Sequence, residues 1–320
     1  MNINMIRAAA DRARGHIRLT PMLSSSRLDA MAGRRILVKA EALQVTGSFK
    51  ARGGWAAVSA LPPDVRKSGV IAFSSGNHAQ GVAYAARAFG VPAVIIMPKD
   101  VPLAKLNGTK ALEAEVILYD RMTEDRDAIG STLAQDRNLT LIRPFDDEQV
   151  IAGQGTCGLE IAAQAADMGV TTADVLVCCG GGGLTSGIAL ALAADAPGLR
   201  VRPVEPVDFD DVSRSLAAGD ILRNARLSGS ICDAIVTPQP GNLTFPILQR
   251  LCGPGIAVPD EDCLRAMAAA FAHLKLVLEP GGAIALAAAL FHGGTDPVIV
   301  VASGGNVDPA MFIRALDYLP

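Results

Sequence analysis

No excess of charge of either sign runs through this chain of 320 residues: 29 Lys and Arg stand against 32 Asp and Glu, a formal net charge of -3. With the basic residues scattered, there is no electrostatic footprint for nucleic acid or anionic lipid, and a small molecule is the expected partner. The six cysteines form no CxxC pair and lack a histidine at ligand spacing, which argues against a secreted disulfide scaffold and predicts reduced thiols in a cytoplasm. No apolar run is long enough to span a bilayer; the longest near the end is ALAAALF. The first residues, MNINMIRAAADRARGHIRL, lack an apolar segment ending in a cleavage site and predict an amphipathic helix. Internal repeats and low-complexity linkers are also missing.

What is present is a rhythm. Short β-branched runs (RILVKAE, GVIAFSS, VPAVIIMP, AEVILYD, LTLIRPF, ADVLVCC, LRVRPVEP and DPVIVVAS) are separated by Ala-rich stretches of helical length. That alternation predicts an α/β fold with open, mostly parallel sheets covered by helices on both faces. The turn-rich segments near Pro62 and Pro144 are the candidate boundaries. They divide the chain into a large domain, 1–68 with 147–320, and a small domain, 69–146.

Four consecutive glycines, Gly180 to Gly183, follow the run ADVLVCC and precede Leu184 and the helical IALALAAD. Backbone N–H groups freed by glycine, at a helix N-terminus, form a cradle for phosphate, with Thr185 and Ser186 as further hydroxyl donors. A tight strand-to-helix turn needs one or two glycines, not four. No GK[ST] closes the run, so it is not a Walker loop. The one GxGxxG match, Gly153 to Gly158, follows a poor strand and is read as a helix-starting turn.

Ser74-Ser75-Gly76-Asn77-His78 lies at the carboxyl end of a predicted strand, where ligands of open α/β sheets gather, and its amides and polar side chains suit a carboxylate. Capping explains one of these residues but not five; His78 is equally well a satisfied structural histidine. Lys50, beside Phe49 in TGSFKARGG, is by itself an ordinary solvated lysine at a helix start, although a helix N-terminus is an unfavourable place for one. Ser303, after VIVVA, is either a partner for a heterocycle nitrogen or part of a turn.

TGSFKARGG, SSGNHAQG, AGQGTCGLE, GGGGLTSG and ASGGNVD occur in an order that resembles the fold-type II pyridoxal-phosphate enzymes of the serine/threonine dehydratase and serine racemase family. The resemblance runs from about Thr20 onward and implies two domains with pyridoxal 5'-phosphate in the cleft between them. It implies that Lys50 carries the cofactor as a Schiff base, Phe49 packs by the ring, Asn77 meets the phenolic oxygen, Gly180, Gly181, Gly182, Gly183 and Leu184 hold the phosphate, and Ser303 meets the pyridine nitrogen. A hydroxyl partner leaves that nitrogen largely unprotonated, which suits elimination. The implied activity is an ammonia-lyase (dehydratase) acting on threonine, serine or 3-hydroxyaspartate, with Lys50 taking the Cα proton and a 2-oxo acid and ammonia released.

Ser74, Ser75, Gly76, Asn77, His78 and Arg126 form the implied substrate set. Ser75 also matches the residue that returns a proton on the opposite face in racemases, so a serine or aspartate racemase is the alternative. Glu205, the carbonyl of Phe209 and Asp211 match a family site for a divalent cation (magnesium, calcium or manganese), against the plainer reading of an acidic turn capping a helix. A homodimer is implied as well. Cys232-Asp233-Ala234 replaces the family's commoner Ala-Asp-Gly, and with no regulatory domain after Pro320, feedback by isoleucine is not expected. Outside the resemblance, two other classes stay open: a nicotinamide oxidoreductase using GQGTCG, and a non-catalytic binding protein.

Overall fold

The apolar runs become strands of two sheets in a computed structural model that describes residues 1–74, 76–101, 103–120 and 122–319. In chain order the strands are β1 (Met22–Ser24), β2 (Ile36–Lys39), β3 (Val70–Phe73), β4 (Ala93–Pro98), β5 (Glu115–Tyr119), β6 (Thr140–Leu141), β7 (Ala173–Cys178), β8 (Leu199–Pro206), β9 (Ile256–Val258) and β10 (Val298–Val301). One sheet has the order β1-β2-β10-β7-β8-β9 and the other β5-β4-β3-β6. All pairings are parallel except β1 with β2. Every residue of β2, β4, β7 and β10 is buried, as helices on both faces require. The edge strand β5 is not: only Tyr119 is buried there. β1 and β9, three residues each, escape the sequence pattern because so short a run carries no period.

The helices are α1 (Ile3–Ala13), α2 (Ser26–Ala32), α3 (Lys50–Ala60), α4 (Pro63–Lys67), α5 (Asn77–Phe89), α6 (Leu103–Lys110), α7 (Arg126–Asp136), α8 (Glu148–Asp167), α9 (Gly183–Asp195), α10 (Asp211–Ala218), α11 (Phe245–Leu251), α12 (Asp260–Leu274), α13 (Pro280–Phe291) and α14 (Pro309–Leu316). Among the described residues no helix is long and apolar enough to cross a membrane.

The GxGxxG match is not a turn of any kind. It lies inside α8, which starts at Glu148 with the Asp147 carboxylate accepting from the Gln149 and Val150 N–H groups. Its glycines are contact points: a Cβ at Gly153 would stand 2.5 Å from the Arg52 carbonyl oxygen, one at Gly155 2.7 Å from Ile6 and one at Gly158 2.7 Å from Ala191. They let α8 lie close against α3, α1 and α9.

A similar approach joins α3 to α5. A Cβ on Gly54 would come 2.5 Å from the Gly81 carbonyl carbon and oxygen, and one on Gly81 2.6 Å from the Lys50 carbonyl oxygen. Alanine at position 54 gains about 1 kcal/mol of helix propensity but must push two backbones apart. Gly54→Ala is expected to lose about 1–3 kcal/mol net, read as a lowered urea midpoint; an unchanged midpoint would show that the crossing has slack.

Candidate active site

Three of the sequence-predicted segments meet at the carboxyl ends of parallel strands: Ser74 follows β3, Gly180 follows β7 and Ser303 follows β10. Backbone bonds stitch the lysine segment to the last of these. Phe49 N–H donates to the Ser303 carbonyl (3.0 Å), Gly305 N–H to the Gly47 carbonyl (2.9 Å), and Ser48 bridges to Gly304. Gly47 must be glycine, since its φ is 73° and a Cβ there would sit 2.5 Å from Asn306 Oδ1. Asn306 Nδ2 donates to the Thr46 carbonyl and to Asn77 Oδ1, both at 2.7 Å. The TGSFK, SSGNH and SGGN segments therefore form one bonded floor.

Above it lies a cavity of about 320 Å³ whose walls come from both sheet units. Lys50 opens into it from the first turn of α3, its Nζ donating to the Pro144 carbonyl at 2.7 Å and standing 5.2 Å from the Phe49 ring centroid. Burial lowers its pKa to about 8, and the nearby Cys178 and Glu279 only partly offset that. Such an amine is neutral often enough near neutral pH to act as a nucleophile or base.

Gly180 to Leu184 line the same cavity. Gly182 caps α9 with φ at 91°, and the first bond of the helix is Ser186 N–H to the Gly182 carbonyl, so the N–H groups of Gly183, Leu184 and Thr185 have no acceptor within the helix. Side chains have no room in this turn: a Cβ at Gly181 would overlap the Phe145 ring, and one at Gly180 would sit 2.9 Å from the Ile235 carbonyl oxygen. Backbone amides, a helix N-terminus and a crowded glycine turn fit a phosphate group. Thr185 and Ser186 do not supply the hydroxyls expected of them: both are fully buried, Thr185 donating to the Cys178 carbonyl and Ser186 to the Thr244 carbonyl. Ser303 lies on the cavity wall, its Oγ 3.1 Å from the Cys178 thiol, which donates to it.

At the start of α5 the first helical bond is Gln80 N–H to the Gly76 carbonyl, leaving the amides of Asn77, His78 and Ala79 for a ligand. Gly76 N–H is not among them, since it donates to Ser74 Oγ at 3.1 Å. The His78 imidazole does not join its own amide as a donor to that ligand. Its Nε2 carries its proton to the Ile142 carbonyl (3.0 Å), its buried Nδ1 has only a lone pair to offer, and burial and the Lys50 charge push its pKa down to about 3. Arg126 begins α7 and lines the cavity, its guanidinium 5.9 Å from the Phe73 ring. Ser75 lies outside the described residues.

The sequence reading missed Glu279. This buried carboxyl accepts from Asn77 Nδ2 at 2.6 Å, and burial raises its pKa to about 7 against the lowering effects of Asn77 and Lys105. Its only local signal is a glutamate before Pro280 at the head of α13, which reads as a cap. Lys105, also unforeseen, faces Asp233 of the Cys232-Asp233-Ala234 segment across the cavity mouth.

Glu205 and Asp211 lie apart from this cavity. Glu205 accepts from the amides of Val212 and Ser213 and from Ser213 Oγ, and burial lifts its pKa to about 8. Asp211 Oδ1 accepts from Asn224 Nδ2, while its buried Oδ2 has no partner among the described residues. Among those residues no group of three or more His, Cys, Asp or Glu side chains could hold a metal ion.

A desolvated lysine and a helix-headed glycine cradle share one cavity, and residues 13–304 match the family described as "Pyridoxal-phosphate dependent enzyme". The chain belongs to that family. As a pyridoxal-phosphate-dependent enzyme it is 41% identical over 305 residues to the L-threo-3-hydroxyaspartate ammonia-lyase of a Pseudomonas species, covering 94% of this chain and 93% of that one. It is 36% identical to the serine racemase of Oryza sativa subsp. indica, covering 98% and 94%. Among solved structures, a threonine deaminase from T.th. superposes with a TM-score of 0.91 at 44% identity, covering 96% and 99%. These pyridoxal-phosphate relatives support the α/β architecture of two parallel-sheet domains and, by the family match, the cofactor expected from the motifs.

Proposed function

We propose that this chain is a pyridoxal-phosphate ammonia-lyase that removes water and ammonia from a small β-hydroxy amino acid: threonine, serine or 3-hydroxyaspartate. The observation that carries the reading is Lys50 Nζ, desolvated and with a pKa of about 8, in one cavity with the α9 N-terminus, whose first amides have no acceptor within the helix. Pyridoxal phosphate, when bound, supplies an aldehyde that condenses with amines and a ring that accepts the electron pair released from Cα. The amides of the Gly180–Leu184 turn bind the phosphate, and Phe49 packs against the ring. Asn77, fixed from both sides by Glu279 and Asn306, serves the phenolic oxygen. Ser303, receiving the Cys178 proton on its oxygen, keeps its own proton for the ring nitrogen, and a hydroxyl there cannot supply the charge that a carboxylate would.

The first amides of α5, with Ser74 and Arg126, bind the substrate carboxylate. Lys50 Nζ takes the Cα proton, the Cβ–O bond breaks with hydroxide leaving as water, and hydrolysis of what remains yields a 2-oxo acid and ammonia. The serine racemases among the relatives favour a second reading, in which Ser75 returns a proton on the opposite face. Further parts of the proposal are the division into 1–68 with 147–320 and 69–146, supported by the strand content of the two sheets, a homodimer in the cytoplasm, and a divalent cation at Glu205, the Phe209 carbonyl and Asp211. The buried, unpartnered Asp211 Oδ2 supports the cation.

A panel of β-hydroxy amino acids assayed for ammonia, 2-oxo acid and inverted amino acid tests both readings. The lyase reading requires stoichiometric ammonia and 2-oxo acid, together with a visible absorption band that borohydride bleaches; racemisation without ammonia would select the alternative.

A further inference from the structure

One ion pair spans the mouth of the cavity. Lys105, from α6 of the second sheet unit, places its Nζ 3.4 Å from Asp233 Oδ2 of the first. The pair is lopsided: the lysine side chain is 19% exposed and the aspartate 70%. A mostly buried ammonium needs an anion beside it, whereas a carboxylate in water needs nothing. A long pair with one exposed member is weak, so another carboxylate entering the cavity can take the lysine at little cost.

Lys105 also faces inward. A Cβ built on Gly76 would stand 3.9 Å from its Nζ, and its charge is felt by Glu279, whose own oxygen is already bonded to Asn77. The amides at the start of α5 supply an anion site for the α-carboxylate without the lysine. We propose that Lys105 receives a second carboxylate, carried on the substrate's Cβ, and that Asp233 stands in for it while the site is free of substrate. The preferred substrate class is then the dicarboxylic β-hydroxy amino acid. This rests on the lyase reading and refines it.

The measurement is kcat/KM for L-threo-3-hydroxyaspartate, serine and threonine with the wild-type enzyme and the variants Lys105→Met, Lys105→Arg and Asp233→Asn. Lys105→Met should lower the ratio of hydroxyaspartate to serine efficiency about 100-fold. The change should fall mainly in KM, because the second carboxylate carries the same charge before and during the reaction. Lys105→Arg should restore much of the ratio. Asp233→Asn, which removes the competing anion, should lower KM for hydroxyaspartate roughly threefold, consistent with a weak pair. A parallel loss on all three substrates would place Lys105 at the α-carboxylate or in the scaffold and overturn the inference, as would a raised or unchanged KM in Asp233→Asn. Wild-type enzyme that releases ammonia from serine or threonine but not from hydroxyaspartate overturns this inference alone. Release from none of the three removes the lyase reading and this inference with it.

Discussion

Lys50→Ala is expected to lower ammonia release from the best substrate by at least about 10⁴-fold, since it deletes both the amine that anchors the cofactor and the base that takes the Cα proton. The fold should survive the change. Removing a buried amine relieves a desolvation cost, and the Pro144 carbonyl that loses its donor is the main unsatisfied group left behind. Far-ultraviolet circular dichroism should therefore match the wild type while the visible band disappears. The lowered pKa adds a pH signature in wild-type protein stripped of cofactor. With a value of about 8, roughly a tenth of the amine is neutral at pH 7, against roughly three in ten thousand for an ordinary lysine. The rate of recovering the visible band on adding pyridoxal phosphate should rise with pH and level off above about 8. A variant that keeps half its activity, or a rate still climbing steeply at pH 10, would contradict the assignment.

Arg52→Met should be the most damaging change to stability. The guanidinium is almost wholly buried on α3 and binds Glu41 through two 2.7 Å contacts, Glu160 through two more at 2.7 and 2.8 Å, and Thr156. Lys39, fully buried, joins Glu160 and the Thr20 carbonyl to the same network. Methionine fills much of the volume but leaves Glu41 ionised in the core with Lys39 as its remaining cation, a loss of about 3–5 kcal/mol at pH 7. The sign of its pH dependence follows from Glu41. In the wild type Arg52 holds that carboxyl below its ordinary pKa of 4.5, so its contribution is present above that value and lost as pH falls through the lower folded pKa. In the variant burial dominates, the folded pKa rises above the unfolded one, and acid becomes stabilising at this site. The stability gap measured by urea unfolding should narrow between pH 7 and pH 5; a constant gap would mean that Glu41 is not the group left stranded.

Much of this site is written in the order of the chain, because parallel strands carry their functional turns at one end. GVIAF followed by SSGNH, and ADVLVCC followed by GGGG, announce that arrangement before any coordinates, as does VIVVA followed by SGGN. The runs that become β2, β4, β7 and β10 show in the sequence because those strands are buried on both faces. What stays hidden depends on long-range burial. Glu279 looks like a cap until Asn77, 202 residues away in sequence, is seen to donate to it. Gly153 to Gly158 follows a nucleotide-binding spelling, yet its glycines answer to helix packing. Thr185 and Ser186 read as ligand donors until their hydroxyls are found spent on carbonyls. His78 stood between two readings that only the Ile142 carbonyl could separate.

The glycine contact between α3 and α5, together with the Asn306 bonds to Thr46 and Asn77, has a mechanical consequence. The two sheet units are riveted along one side of the cleft, where backbone meets backbone and amides interlock. At the mouth, what joins them is the long ion pair from Lys105 to Asp233. The amine and the floor beneath it are thereby tied to both sheet units at once, while the lip depends on a pair that another carboxylate can exchange.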